Sequence, residues 1–299
     1  MNQQQSICSQ AREKTLAKRA ATQVFSFFTL RAAAFANCAA LVIACVFLFV
    51  NGIGALDIEF VLDSPREMMT SGGVFPCLVG TFLLAAGAIA IALPFGVACA
   101  VWLNEYGKQG PVVDIVRLSV ANLAGVPSIV FGLFGLAFFV TALGFNVSLL
   151  SGILTLAVLT LPVIINTTEE ALKQVPRSWR DASLALGATK SQTIGRIVLP
   201  SALPGILTGA ILAVARAAGE TSAVMFTAAV FYTPKLPESV WSSVMALPYH
   251  MYVLATAGTE IEKTRPMQYG TGLLLVVLVF AMNLIAILIR DKMQKKRLA

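Results

Sequence analysis

A chain of 299 residues that is 57% hydrophobic and only 12% charged is not a soluble enzyme or binding module, because soluble domains carry about a quarter charged residues. Its net charge of +7 does not mark a nucleic-acid binder either, since the basic residues flank apolar runs instead of gathering in one patch with interleaved aromatics. Several of those runs reach the roughly 20 residues that cross a bilayer, so the composition predicts an all-α integral membrane protein.

Residues 1–31 read as a basic tail, with Arg12, Lys14, Lys18, Arg19 and Arg31 and no hydrophobic core of their own. The run 32–50 is too long for a signal-peptide core and has no small-x-small cleavage site before Asn51. It reads as a retained first span, followed by an acidic outer loop at 53–72. A second span covers 74–103, contains Pro94 and ends in Asn104-Glu105-Tyr106. The third is interrupted at Gly125-Val126-Pro127, a break that neighbouring helices can satisfy inside a membrane. An uncharged turn at 144–148 leads to a fourth span, 149–165, and a polar stretch, 166–196, separates that from a long fifth segment, 197–230. The loop 231–269 holds an apolar patch, 240–254, too broken to span, for which a surface or re-entrant helix is expected. A sixth span, 270–289, and a basic tail close the chain. With both termini cytoplasmic, the inner segments hold seventeen of the 22 Lys and Arg and the outer loops four, while Arg216 remains inside the membrane. The excess of inner cations orients six spans with 166–196 in the cytoplasm.

The five cysteines, at 8, 38, 45, 77 and 99, fit neither a zinc site nor a disulfide framework and read as small packing residues. The single histidine, His250, reads as an outer-face structural residue. No Gly-rich phosphate loop with its Lys occurs, and no Ser/His/Asp arrangement stands out. No enzymatic activity, metal site or cofactor of its own is expected for this chain.

Two stretches carry candidate function. In the first, 177–186 reads as a short helix with Pro176 at its first turn and Gly187 as a left-handed C-cap. Thr189 or Ser191 is placed to cap the helix that follows. The product is a helix–turn–helix elbow on the membrane surface. Ala182 and Ser183 would allow close contact there, Trp179 or Leu184 would fill a pocket as interface anchors do, and Arg180 and Asp181 would orient the rim. Trp179 also fits a lipid-interface anchor. In the second stretch, Arg216 and Glu220 stand four apart, which puts them on one face of a continuous helix beside Thr221. Ionisable residues at membrane depth suggest a pathway or gate, and an Arg offers a planar set of donors matched to an oxyanion. A purely structural ion pair is the alternative, although Arg before Glu is the weaker order for one. Gly205, Gly209, Ala213 and Ala217 form a small-residue stripe that permits close helix approach, expected to face a partner membrane subunit.

The elbow's order is Asp181-Ala182-Ser183, Gly187, then Ile197-Val198-Leu199-Pro200. It resembles the cytoplasmic loop signature of ABC-importer permeases, with Asp for the usual Glu and Ser183 for the usual second Ala. Further stretches extend the likeness: NEYG (104–107), NLAGVPSIVFGLFGLA (122–137), ARAAGET (215–221), VMALPYHMYVLAT (244–256) and the run from Met267 to Arg290. Together they resemble A-type permease subunits of bacterial phosphate ABC importers over about residues 70 to 290. That resemblance implies a type I importer fold with the permease domain at 73–290, preceded by a first helix and outer loop at 32–72 and closed by a cytoplasmic tail at 291–299. It implies a bacterial inner-membrane location and a heterodimer with a C-type permease. It also implies a pair of cytoplasmic ATPase subunits holding ATP and Mg, and a periplasmic phosphate-binding protein. Residues 179–184 and Gly187 would then be the ATPase-coupling loop, and Arg216, Glu220 and Thr221 the translocation gate. Rival readings are a permease for sulfate, molybdate or tungstate, and an ion-coupled anion carrier that works alone.

Overall fold

The computed structural model describes residues 2–107, 110–257 and 261–298, and divides into two units, residues 1–51 and 52–299. The first unit is one element. Helix α1, Asn2–Gly52, has no break between its polar start and its apolar end, and its membrane-length apolar portion is Phe25–Ala55. The span therefore begins earlier than the basic tail suggested, because Phe25, Phe27, Phe28 and Leu30 precede Arg31. Those side chains are exposed, as a lipid-facing surface requires. Cys38 and Cys45 are exposed on the same helix, and the side chain of Cys8 lies outside the described residues.

The second unit begins with a short helix and a hairpin. Helix α2, Ile58–Leu62, precedes strands β1 (Pro65–Arg66) and β2 (Ser71–Gly72), which pair antiparallel. The hairpin is tied down by the Tyr232 hydroxyl donating to the Pro65 carbonyl at 3.0 Å. Helix α3, Phe75–Val101, follows, with Pro94 inside it and a wide π-helical turn, Trp102–Tyr106, at its end. The third span is two helices, α4 (Pro111–Gly125) and α5 (Ser128–Gly135), the latter extended by a π-helical turn to Ala142. They meet at 104°. Pro127 forces Val126 out of the helical region, so the expected interruption is a near right-angle bend.

Helix α6, Leu149–Gln174, starts on Ser148, whose hydroxyl accepts from the Ser151 amide. It runs nine residues past the expected end of its span, because Glu169 to Gln174 (Glu-Glu-Ala-Leu-Lys-Gln) are all good helix formers although mostly polar. Hydropathy marks where lipid ends, not where the helix does. After helices α7 (Arg177–Ala185) and α8 (Lys190–Thr193) come a π-helical turn, Ile194–Val198, and helix α9, Leu199–Ala218. The fifth segment is not continuous to residue 230. It breaks at Gly219 and resumes as α10, Ser222–Thr227. The patch at 240–254 contains a helix too short to span, α11 (Leu247–Thr256), and α12 covers Ile261–Leu298.

Helices α3, α6 and α9 pack along one another. The stripe on α9 is spent inside this packing. A Cβ on Gly205 would lie 2.5 Å from the Ala171 Cβ, and one on Gly209 would overlap the Thr167 hydroxyl, while Ala213 and Ala217 are buried. The close approach is to α6 of the same chain, which corrects the expectation that it faces a partner subunit. Small residues specify nearness and carry no address. Cys77 is buried and Cys99 half-buried, in keeping with packing roles. His250 is fully enclosed in α11, where desolvation lowers its pKa to about 4, so it is neutral at pH 7.

Candidate functional site: an exposed elbow and a broken helix

The elbow is built by local chemistry. Pro176 holds Val175 in an extended conformation, which ends α6 and redirects the chain. Helix α7 closes on Gly187, whose φ of +83° is the left-handed value that a C-cap requires. The Gly187 amide donates to the Leu184 carbonyl at 3.0 Å and the Ala188 amide to the Ser183 carbonyl at 3.2 Å. Thr189 then caps α8 in a reciprocal box, its hydroxyl accepting from the Gln192 amide and its amide donating to the Gln192 side chain. The Ser183 and Thr193 hydroxyls meet at 2.9 Å in the buried angle between the two helices.

The seven elbow residues singled out by sequence therefore divide. Trp179, Asp181, Ala182, Leu184 and Gly187 are exposed and form an outward face. Ser183 and Arg180 turn inward. The Arg180 side chain is only 17% exposed and makes a 2.7 Å contact with Glu105, itself 8% exposed. Arg180 is thus a clamp beneath the elbow and not a rim residue. Leu186, which is 89% exposed, was missed by sequence reasoning. A leucine just before a C-cap glycine on a water-facing helix is the signal that would have found it, since large apolar groups exposed beside polar ones mark interaction sites.

The second constellation differs from its expectation. Helix α9 ends at Ala218, so Arg216 and Glu220 do not share a helical face. No ion pair joins them among the described residues. The Glu220 carboxylate instead accepts from the Ser222 and Ala223 amides at 3.1 and 3.4 Å and secures the start of α10. Thr221 lies in the break as the N-cap residue of α10. Arg216 is half-buried in the last turn of α9 and has no hydrogen-bond or ion-pair partner among the described residues. Gly205 against Ala171 and Gly209 against Thr167 fix an antiparallel register between α9 and α6. That register sets Arg216 level with Thr160, near the middle of α6. Long apolar helices carrying one guanidinium with no partner among the described residues, beside an exposed polar elbow, mark a multi-pass membrane protein.

Residues 92–298 match the family of binding-protein-dependent transport system inner membrane components, and the chain belongs to that family. It is similar to the phosphate transport system permease protein PstA 1 of Mycobacterium tuberculosis (strain ATCC 25618 / H37Rv), at 39% identity over 76% of this chain and 72% of that protein. PstA of Xylella fastidiosa (strain Temecula1 / ATCC 700964) is 32% identical over 82% of this chain and 85% of its own length. The probable ABC transporter permease protein YqgI of Bacillus subtilis (strain 168) is 33% identical over 84% and 91%. Among solved structures, an inward-facing MetNI methionine ABC transporter matches with a TM-score of 0.53 at 24% identity, over 74% of this chain and 94% of that one. A bacterial ABC transporter that imports the acidic polysaccharide alginate matches with a TM-score of 0.57 at 13% identity, over 76% and 80%. These likenesses establish the type I ABC importer permease fold in a multi-pass membrane protein.

Proposed function

We propose that this chain is the transmembrane permease subunit of an ATP-driven phosphate importer of the bacterial inner membrane. It forms half of the translocation pathway, beside a C-type permease, with both termini and the elbow in the cytoplasm. It catalyses no reaction and binds no cofactor. ATP and Mg are held by a separate pair of ATPase subunits docked on Trp179, Asp181, Ala182, Leu184 and Leu186, and a periplasmic phosphate-binding protein delivers the substrate. The observation that carries this reading is Arg216, half-buried, level with the apolar part of α6 and without a hydrogen-bond or ion-pair partner among the described residues. An unneutralised cation there is costly unless a pathway uses it, and a guanidinium matches the paired oxygens of a tetrahedral oxyanion. The PstA relatives support phosphate as that oxyanion. Closure of the ATPases would push α7, and α9, locked to α6 at Gly205 and Gly209, would carry the push to the break at Gly219.

The test is labelled phosphate uptake in a strain lacking this chain, complemented with wild type or Arg216→Gln, with membrane insertion and ATPase pull-down measured on each. Arg216→Gln is expected to insert, bind its ATPase and lose at least tenfold in uptake. Normal uptake would make Arg216 structural. Competition by sulfate, molybdate or tungstate stronger than by unlabelled phosphate would replace the substrate, and transport by the chain reconstituted alone would replace the class.

A further inference from the structure

Helix α9 is the covalent route out of the elbow, and a second route made of side-chain contacts fastens the elbow to α3. Three groups of Arg180 are engaged at once. Its Nε reaches both Glu105 oxygens at 3.3 Å and its Nη2 reaches Glu105 Oε1 at 2.7 Å. Its Nη1 donates to the Val175 carbonyl at 2.6 Å, and Nη2 also donates to the Leu172 carbonyl at 2.9 Å. One guanidinium therefore joins α7, the C-terminal end of α6 and the last turn of α3. Asn104 donates to the same Glu105 carboxylate at 2.8 Å, fixing its orientation. The wide π-helical turn Trp102–Tyr106 holds Glu105 and Tyr106 next to each other, and inserted turns of this kind are enriched at functional positions. Lys190, the first residue of α8, sits 5.0 Å over the Tyr106 ring, so both elbow helices grip the same turn of α3.

The opposite end of α3 is fastened to the outer segment that carries α11. The Leu247 amide donates to the Thr81 hydroxyl at 2.8 Å, with both groups buried. Gly80 lies so close to the Met245 carbonyl that a Cβ would overlap it. Between these ends α3 runs along α6 and α9 as one helix, continuous through Pro94.

We infer that α3 is a second transmission rod, and that Glu105 is the positioning residue through which movement of the elbow reaches the outer segment 244–254. Glu105 touches no substrate. It acts by holding Arg180, and the buried bidentate geometry makes the joint stiff in direction as well as in distance. Hydrogen-bond and salt-bridge networks joined by a rigid helix are the kind of element through which coupling between distant sites is carried.

The inference rests on the elbow being the ATPase dock, and the experiment separates the two. The complete transporter, with its ATPases, partner permease and binding protein, is reconstituted in proteoliposomes. ATP hydrolysed and labelled phosphate imported are both measured. Glu105→Gln is expected to assemble and hydrolyse ATP within about twofold of wild type while import falls at least tenfold, so that the ATP used per phosphate rises. Exchanging the charges, Glu105→Arg with Arg180→Glu, should recover import severalfold over Glu105→Gln. Tyr106→Leu removes the half-exposed contact with Lys190 and leaves no buried charge; it should raise the ATP used per phosphate about twofold, and it decides the matter if Glu105→Gln does not assemble. An unchanged ratio in Tyr106→Leu together with unchanged or parallel loss of both activities in Glu105→Gln overturns the rod. Leu186→Asp reports on the dock alone: retained ATPase pull-down and import in that variant overturn the docking reading instead.

Discussion

Gly209 and Gly195 lie in one helical segment, 14 residues apart, and the same substitution should have opposite signs at the two. A Cβ on Gly209 would overlap the Thr167 hydroxyl and lie 2.8 Å from the Thr167 Cβ. Thr167 cannot simply turn away, because its hydroxyl is bonded back to the Val163 and Ile164 carbonyls at 2.8 and 3.2 Å. Overpacking of a well-filled site costs about 1–3 kcal/mol, and a clash with an anchored side chain belongs at the upper end. Replacing a helical glycine by alanine returns about 1 kcal/mol. Gly209→Ala should therefore destabilise by about 2 kcal/mol net. Gly195 has nothing within 4 Å of where its Cβ would stand, so Gly195→Ala should keep the gain of up to about 1 kcal/mol. Unfolding midpoints of the purified protein in detergent would read the difference, with the two variants moving to either side of wild type. Adding Thr167→Ala to Gly209→Ala should recover part of the loss, since contacting positions are not additive. Gly209→Ala moving the midpoint upward as Gly195→Ala does would refute the close α6–α9 contact.

The other predictions concern the elbow, α11 and the break after α9. Thr189→Ala removes the reciprocal cap of α8 and should cost about 1 kcal/mol locally; amide hydrogen exchange over 190–193 should quicken about fivefold with α12 unaffected. The neutral form of His250 is favoured in the fold, with the pKa lowered to about 4 by burial from an ordinary 6.5. Its contribution is complete above pH 6.5 and is lost as pH falls toward 4, because the unfolded chain takes up the proton first. Between pH 7.5 and 4.5 wild type should lose about 2–3 kcal/mol more stability than His250→Phe, and equal losses would count against the burial account. Glu220→Gln keeps an oxygen that can accept from the Ser222 and Ala223 amides, so phosphate uptake should stay within about threefold of wild type, as expected when an acceptor loses its charge and keeps both partners. Uptake as low as that of Arg216→Gln would restore the ion-pair reading.

What was legible in the sequence was whatever local chemistry determines. Pro176, Gly187 and Thr189 each impose one backbone conformation, and all three appear where the residue types demand. The spans were legible as apolar lengths, but their ends were not. Helices α6 and α12 run on into water as far as Gln174 and Leu298 because polar residues that suit a helix follow the apolar ones. The interruption at Gly125-Val126-Pro127 was visible, whereas its 104° angle depends on what α4 and α5 pack against. Partners were the hardest to read. Nothing in a stripe of small residues says that α6 of the same chain will fill it, and nothing in Asn104-Glu105-Tyr106 says that Arg180, 75 positions later, will close on the carboxylate.

The Arg216–Glu220 spacing misled for a reason that bears on function. An i,i+4 pair presumes an unbroken helix, and Gly219 between them is the residue least able to sustain one. Once the helix breaks, each charge has a separate means of being tolerated. Arg216 lies in the last turn of α9, where orphaned carbonyls favour a cation, and Glu220 lies at the first amides of α10, where orphaned N–H groups favour an anion. Neither charge then needs the other. An ion pair would have occupied the guanidinium and held it in place through every state of the transporter. Two helix ends meeting inside the apolar segment leave its donors without a partner among the described residues while still offsetting part of the cost of its burial, and a break in the backbone is also the place where two halves of a segment can change their angle. On the proposed reading, the glycine that defeats the pairing would also supply a joint at which Arg216 is presented to an anion and withdrawn.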